Sequence, residues 1–143
     1  MAYDEQNVFA KILRGEAPAH RVCEDEFTLA FMDIMPQTIG HTLVIPKAPA
    51  VDIFDIEPDM LAATVRTTHR VAHAVLRAFS PSGMMVGQLS GATAGQTVFH
   101  FHFHVIPRYE PTSFHFHGQP VEDPEELARN AAAIRAHLEQ AGP

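Results

Sequence analysis

From residue 99 the chain reads Phe-His-Phe-His-Phe-His and keeps that alternation to His104. A period of two is the signature of an extended strand, so the three imidazoles of His100, His102 and His104 project from one face and Phe99, Phe101 and Phe103 from the other. The phenylalanines read most simply as core. Three histidines are a costly way to solvate the opposite face, because Thr, Lys or Glu would serve there without titrating near neutrality. The chain has 10 histidines among its 143 residues, and five of them, His100, His102, His104, His115 and His117, fall in one short stretch. They are internal and interleaved with aromatics, which excludes an affinity tag.

Same-face residues on a strand sit roughly 7 Å apart, a spacing that suits more than one chemistry. Alternate histidines can share a zinc ion, with His41 as a further nitrogen, although the nearest acidic residue in sequence is Glu110 and no thiolate set accompanies them. Three hydrogen-bonded structural histidines are a second reading. In the third, one imidazole attacks phosphorus while its neighbours handle protons and charge, which requires the correct tautomer, fixed by a partner on the other ring nitrogen. The loop Ser90-Gly-Ala-Thr-Ala-Gly-Gln96 just before the histidines supplies Gly91, Thr93 and Gly95, and the residue after it Thr97, as donors for phosphate oxygens.

Elsewhere the pattern predicts an α+β domain. Val8, Phe9, Ile12 and Leu13 at helical spacing, with Gly15 beyond, predict a short helix. His20 to Glu24, a turn at Asp25 and Glu26, and Phe27 to Asp33 predict a hairpin, continued by a strand over His41–Pro46. A long helix is expected from Pro58 to Phe79, with Leu61, Val65, Ala72, Val75, Leu76 and Phe79 as its buried face. Met84 to Leu89 and Thr97 to Ile106 predict two further strands. Asp123 followed by Pro124 and Glu126 opens a last helix over residues 124–140, buried through Leu127, Ala131, Ile134 and Leu138. No linker or repeat divides residues 1–143.

With 46% hydrophobic and 19% charged residues, the chain has the composition of one soluble globular domain. Its formal net charge of −7 argues against a nucleic acid partner but not against a small anion. The single cysteine, Cys23, excludes an internal disulfide. The acidic start without an apolar run, and the absence of any stretch of membrane-spanning length, make the cytoplasm the expected location, with no membrane partner.

The segment Ala94-Gly-Gln-Thr-Val-Phe-His-Phe-His-Phe-His-Val-Ile-Pro-Arg108 resembles the signature of the histidine triad (HIT) superfamily. Upstream, Val8-Phe-Ala-Lys-Ile-Leu-Arg14, Asp33-Ile-Met-Pro-Gln37 and Gly40-His-Thr-Leu-Val-Ile-Pro-Lys47 are similar to the purine nucleotide-binding branch, so the resemblance runs over about residues 7–108. It implies a HIT-like fold, an antiparallel five-stranded sheet with a long helix and terminal helices, joined to a second sheet across a homodimer. It also implies hydrolysis of nucleoside 5′-phosphoramidates or related nucleotidyl conjugates through a nucleotidyl-histidine intermediate; no cofactor is expected, and no metal, since no matching set of carboxylates or thiolates accompanies the histidines. By position, His102 would be the nucleophile, ordered by His104, His100 and His41. Phe9, Ile12 and Ile34 would line the pocket for the base of an AMP-like nucleotide, Asp33 would take the ribose hydroxyls, and Gly95, Gln96 and Thr97 would contact the phosphate.

Three features depart from that pattern. Leu89 stands where family members often carry a phosphate-binding asparagine, a change expected to slow nucleotidyl transfer unless Gln88 or Ser90 supplies the contact. Asn7 and Ala10 replace the CxxC that binds structural zinc in many bacterial relatives, so no such zinc is expected. The tryptophan-containing C-terminal motif of animal phosphoramidases is missing, so their leaving-group preference does not carry over. Dinucleoside polyphosphate hydrolysis, metal-dependent hydrolysis and a non-catalytic nucleotide- or partner-binding dimer are the alternatives.

Overall fold

The computed structural model describes residues 1–111 and 120–141, and His115 and His117 lie outside the described residues. Five strands, β1 (Arg21–Glu24), β2 (Thr28–Met32), β3 (Thr42–Pro46), β4 (Gly83–Gln88) and β5 (Phe103–Arg108), form one antiparallel sheet in the order β1-β2-β3-β5-β4. Every residue of β2 and β3 is buried. Both faces of these central strands are covered, which is why they read as continuous apolar runs. On one face Ala30, Met32, Val44 and Val105 pack against two helices, α2 (Pro58–Phe79) and α3 (Pro124–Ala141), through Val71, Ala74, Val75, Leu127 and Ile134. On the other, Leu29, Phe31, Leu43 and Ile45 meet Phe9 and Ile12 of the short helix α1 (Val8–Leu13). The candidate site histidines lie at the margin of this second layer.

The helix α2 has the predicted bounds, and of its predicted face Val75 is buried while Leu61, Ala72 and Phe79 pack partly buried against the core. Its buried residues are Ala63, Thr64, Thr67, Thr68, Val71, Ala74 and Val75, whereas Val65 and Leu76 are each 47% exposed. Small side chains let the helix approach the sheet and α3 closely, and the threonines are tolerated there because their hydroxyls are satisfied. Thr64 and Thr68 donate to the carbonyls of Met60 and Thr64 at 2.7 and 2.8 Å, and the Thr67 and Thr28 hydroxyls share a 2.7 Å hydrogen bond. Val65 and Leu76 are left half-exposed.

The predicted strand over residues 97–106 also needs correction, because β5 begins only at Phe103. Its pairing with β3 ends at Val44–Phe103 and its pairing with β4 at Gln88–Phe103. Upstream the chain leaves the ladder: the Phe101 N–H donates to the Ala50 carbonyl at 2.7 Å, and Phe101 packs in a separate cluster with Ala50 and Ile56. His100 and His102 therefore precede the strand, and their positions are set by side-chain anchors.

Candidate active site

A cavity of about 260 Å³ opens between α1, the end of β2 and the start of β5. Asn7 caps α1 by accepting from the Ala10 N–H at 2.9 Å, which turns Phe9 and Ile12 inward. Both are almost fully buried and belong to the core layer as well as to the cavity wall. Phe9 meets the His102 ring edge-on at 5.0 Å between centroids. Asp33 follows β2, accepts from the Met35 N–H at 2.9 Å, and lines the cavity beside the half-exposed Ile34.

Four histidines are ordered by groups that leave each ring one neutral tautomer. The His102 Nδ1 is 2.6 Å from the His100 carbonyl; a carbonyl only accepts, so the proton sits on Nδ1 and the lone pair on Nε2. His41 accepts at Nδ1 from the Gln37 N–H at 2.9 Å, so it carries its proton on Nε2, which lies 3.0 Å from His104 Nδ1 and 3.4 Å from an Asp33 carboxylate oxygen. His104 thereby receives at Nδ1 and holds its own proton on Nε2. His100 donates from Nε2 to the Pro46 carbonyl at 2.8 Å and accepts at Nδ1 from the Tyr3 hydroxyl at 2.6 Å.

Burial keeps His41, His100 and His102 uncharged at neutral pH. It lowers His41 to about 3, with the neighbouring His102 adding to the effect, and at 3.4 Å the partly exposed Asp33 does not reverse it. Burial, assisted by His102 and opposed by the Pro46 carbonyl, lowers His100 to about 4. His102 is also shifted down by burial, against the pull of the His100 carbonyl. At neutral pH His102 therefore retains the Nε2 lone pair a nucleophile needs.

The oxygen of Asp33 and the ring nitrogens of His41 and His104 lie within 4.8 Å of one another, a donor set that suits a divalent cation. A cation there would have to displace the proton that His41 and His104 now share, so the arrangement serves a proton relay at least as well.

Among the expected site residues, Phe9, Ile12, Asp33, Ile34, His41, Thr97, His102 and His104 line the cavity; His100, Gly95 and Gln96 do not. The Gln96 amide instead clamps the glycine loop, donating to the Val51 and Val98 carbonyls at 2.7 and 3.1 Å and accepting from the Gly91 N–H at 2.8 Å. The backbone N–H groups of Gly95 and Gln96 bond within the loop to Ala92 and Gly91. Gln88 and Ser90, the candidates to replace a missing asparagine at Leu89, hydrogen-bond to each other at 3.0 Å, and Gln88 also donates to the Leu89 carbonyl. Sequence reasoning missed Tyr3, Gln37 and the Pro46 carbonyl. Tyr3 acts across 97 positions and had no local signal, whereas Gln37, which acts through its backbone, and Pro46 belong to the similar Asp33–Gln37 and Gly40–Lys47 segments.

Known proteins share this fold. The HIT domain model matches residues 14–111. Adenylylsulfatase HINT3 of Arabidopsis thaliana is 31% identical over 137 residues, 92% of this chain and 68% of the relative. A crystal structure of a Hit-like protein from Bartonella henselae superposes with a TM-score of 0.89 at 43% identity, covering 95% of this chain and 99% of that one. A structure described as a hypothetical histidine triad nucleotide-binding protein from Sulfolobus tokodaii gives a TM-score of 0.86 at 29% identity over 93% and 92% of the two chains.

Proposed function

Because the chain belongs to the HIT family, we propose that it binds a purine nucleotide such as AMP in this cavity and hydrolyses nucleoside 5′-phosphoramidates or related nucleotidyl conjugates. The observation that carries the reading is the His102 tautomer, fixed by the His100 carbonyl so that the Nε2 lone pair is the reactive one. In the first step Nε2 attacks the α-phosphorus and the P–N bond breaks, its electron pair leaving on nitrogen. That nitrogen gains a proton which enters from solvent, while the Nε2–H of His104 donates to the phosphoryl group as charge builds. Water then attacks the phosphorus, His102 departs as a neutral imidazole, and the borrowed proton returns to solvent. The apolar wall of Phe9, Ile12 and Ile34 suits a base, and the Asp33 carboxylate suits a ribose diol.

The test is turnover of adenosine 5′-phosphoramidate beside adenylylsulfate and diadenosine polyphosphates, with AMP as the product followed by chromatography. The phosphoramidate is expected to have the highest kcat/KM. AMP binding with no cleavage of any of the three would leave the non-catalytic reading. The 2′-deoxy phosphoramidate is expected to lose on the order of 1–3 kcal/mol in kcat/KM, because one ribose hydroxyl no longer meets the partly buried Asp33. Equal specificity constants would remove Asp33 from the site.

The active form under this proposal is a homodimer with joined sheets and no bound metal. Two observations support a second copy: β4 is an edge strand whose Val86 is 48% exposed, and α2 leaves Val65 and Leu76 uncovered. Val65→Asp combined with Leu76→Asp is expected to give a monomer by sedimentation. A wild-type protein that sediments as a monomer contradicts this part. Among the described residues no helix is long and apolar enough to cross a membrane.

A further inference from the structure

We propose that Tyr3, through its hydroxyl, is a positioning residue that holds His100 so that the His100 carbonyl fixes the reactive tautomer of His102. This rests on the reaction proposed above. The carbonyl belongs to a residue outside the sheet ladder, since β5 starts three residues later. What holds it is side-chain anchoring. The His100 ring is fully buried and pinned at both nitrogens, to the Pro46 carbonyl at 2.8 Å and to the Tyr3 hydroxyl at 2.6 Å.

The direction of each bond follows from chemistry. Pro46 offers only a carbonyl, so His100 Nε2 donates, Nδ1 is an acceptor, and the phenol must be the donor. Burial raises the Tyr3 phenol above its ordinary range, which keeps that proton in place at neutral pH. The rings of Tyr3 and His100 also meet edge-on at 5.6 Å, so the residue contributes packing as well as a hydrogen bond.

The turn that follows directs Tyr3 inward. Asp4 accepts at its side chain from the Gln6 N–H at 2.9 Å, and its carbonyl accepts from the Asn7 backbone and side-chain amides at 3.1 and 2.7 Å. Asn7 in turn caps α1, which carries Phe9 against the His102 ring. One short segment thus grips two successive histidines of the motif: Tyr3 holds the ring whose backbone carbonyl orients His102, and Phe9 packs on His102 itself.

Tyr3→Phe keeps the ring and removes only the hydroxyl. With histidine ring nitrogens labelled with 15N, the wild-type His102 should show a protonated Nδ1 and an unprotonated Nε2, and in Tyr3→Phe these two shifts should move toward each other as the tautomers mix. For the phosphoramidate, kcat should fall roughly tenfold, the equivalent of one ordinary hydrogen bond, with KM and the Kd for AMP within twofold. Tyr3→Leu, which removes ring and hydroxyl together, should show the same shift changes, and its thermal midpoint compared with that of Tyr3→Phe separates packing from positioning. Unchanged His102 shifts in Tyr3→Phe overturn the proposal whatever the rate does, and altered shifts with an unaltered kcat overturn it as well. Should the wild-type protein turn nothing over, the reaction reading fails and the positioning role for catalysis fails with it, while the shifts still report whether Tyr3 sets the tautomer.

Discussion

His102→Ala is expected to lower phosphoramidate turnover by several orders of magnitude, to background, while AMP binding stays within about tenfold of wild type. The asymmetry follows from where each contact acts. Under the proposed mechanism the Nε2 lone pair of His102 is needed only in the covalent step, whereas the nucleotide would be held by cavity-lining Phe9, Ile12, Ile34, Asp33 and Thr97. None of the neighbours substitutes for it. His100 is pinned at both ring nitrogens and does not line the cavity, and His41 accepts a backbone amide on one side and faces His104 on the other. His104, whose Nδ1 is engaged by His41, offers a donor at Nε2 rather than a lone pair. Residual turnover near the wild-type rate would remove the covalent mechanism.

Stability is expected to fall by several kcal/mol between pH 7 and pH 5. In the unfolded chain a histidine titrates near 6.5, whereas burial lowers His41 to about 3 and His100 to about 4 in the folded protein. Above pH 6.5 neither state takes up a proton at these positions and the full stability is present. As pH drops below 6.5 the unfolded chain binds protons that the folded protein refuses, so stability declines until the folded values are reached. At pH 5 this amounts to roughly 2 kcal/mol for each of the two rings, and His102, lowered in the same direction, adds to the loss. Against partial burial, Asp25 is held below the usual carboxylate range by backbone amides and the Thr28 hydroxyl, and Asp55 chiefly by backbone amides, so both contribute mainly at lower pH. Urea midpoints measured at the two pH values check this, and an unchanged midpoint contradicts neutral, buried rings.

The sequence pattern was informative wherever a local rule governed the outcome. Gly15 closes α1 at a positive φ, Pro58 opens α2, and the apolar spacing of Leu127, Ala131, Ile134 and Leu138 is the buried stripe of α3. It misled where tertiary packing decided. On α2 the spacing placed Val65 and Leu76 in the core beside Val75, but the sheet and α3 take small residues and threonines there, and threonine hydroxyls bonded to the preceding turn removed the usual penalty for burying them. The alternation through residues 99–104 suggested one unbroken strand, yet ladder pairing stops at Phe103 because the preceding residues bond to Ala50 and Pro46 instead. The cavity residues Phe9, Ile12, Asp33, Ile34, His41, His102 and His104 were legible from motif position, whereas the duties of the glycine loop were not. Nothing in Gly95-Gln-Thr97 announces that the Gln96 amide is spent on holding the loop and that only Thr97 of the three reaches the cavity wall.

The most direct measurement is a rapid acid-free quench of the protein with adenosine 5′-phosphoramidate labelled with 32P at phosphorus, followed by peptide mapping under alkaline conditions that preserve phosphorus–imidazole bonds. Label on the peptide carrying His102, present in the wild-type protein and missing in His102→Ala, is the expected result. Turnover at a normal rate with no label on any histidine at any quench time, under conditions where the bond is shown to survive, would contradict a nucleotidyl-histidine intermediate and leave direct attack by water as the mechanism.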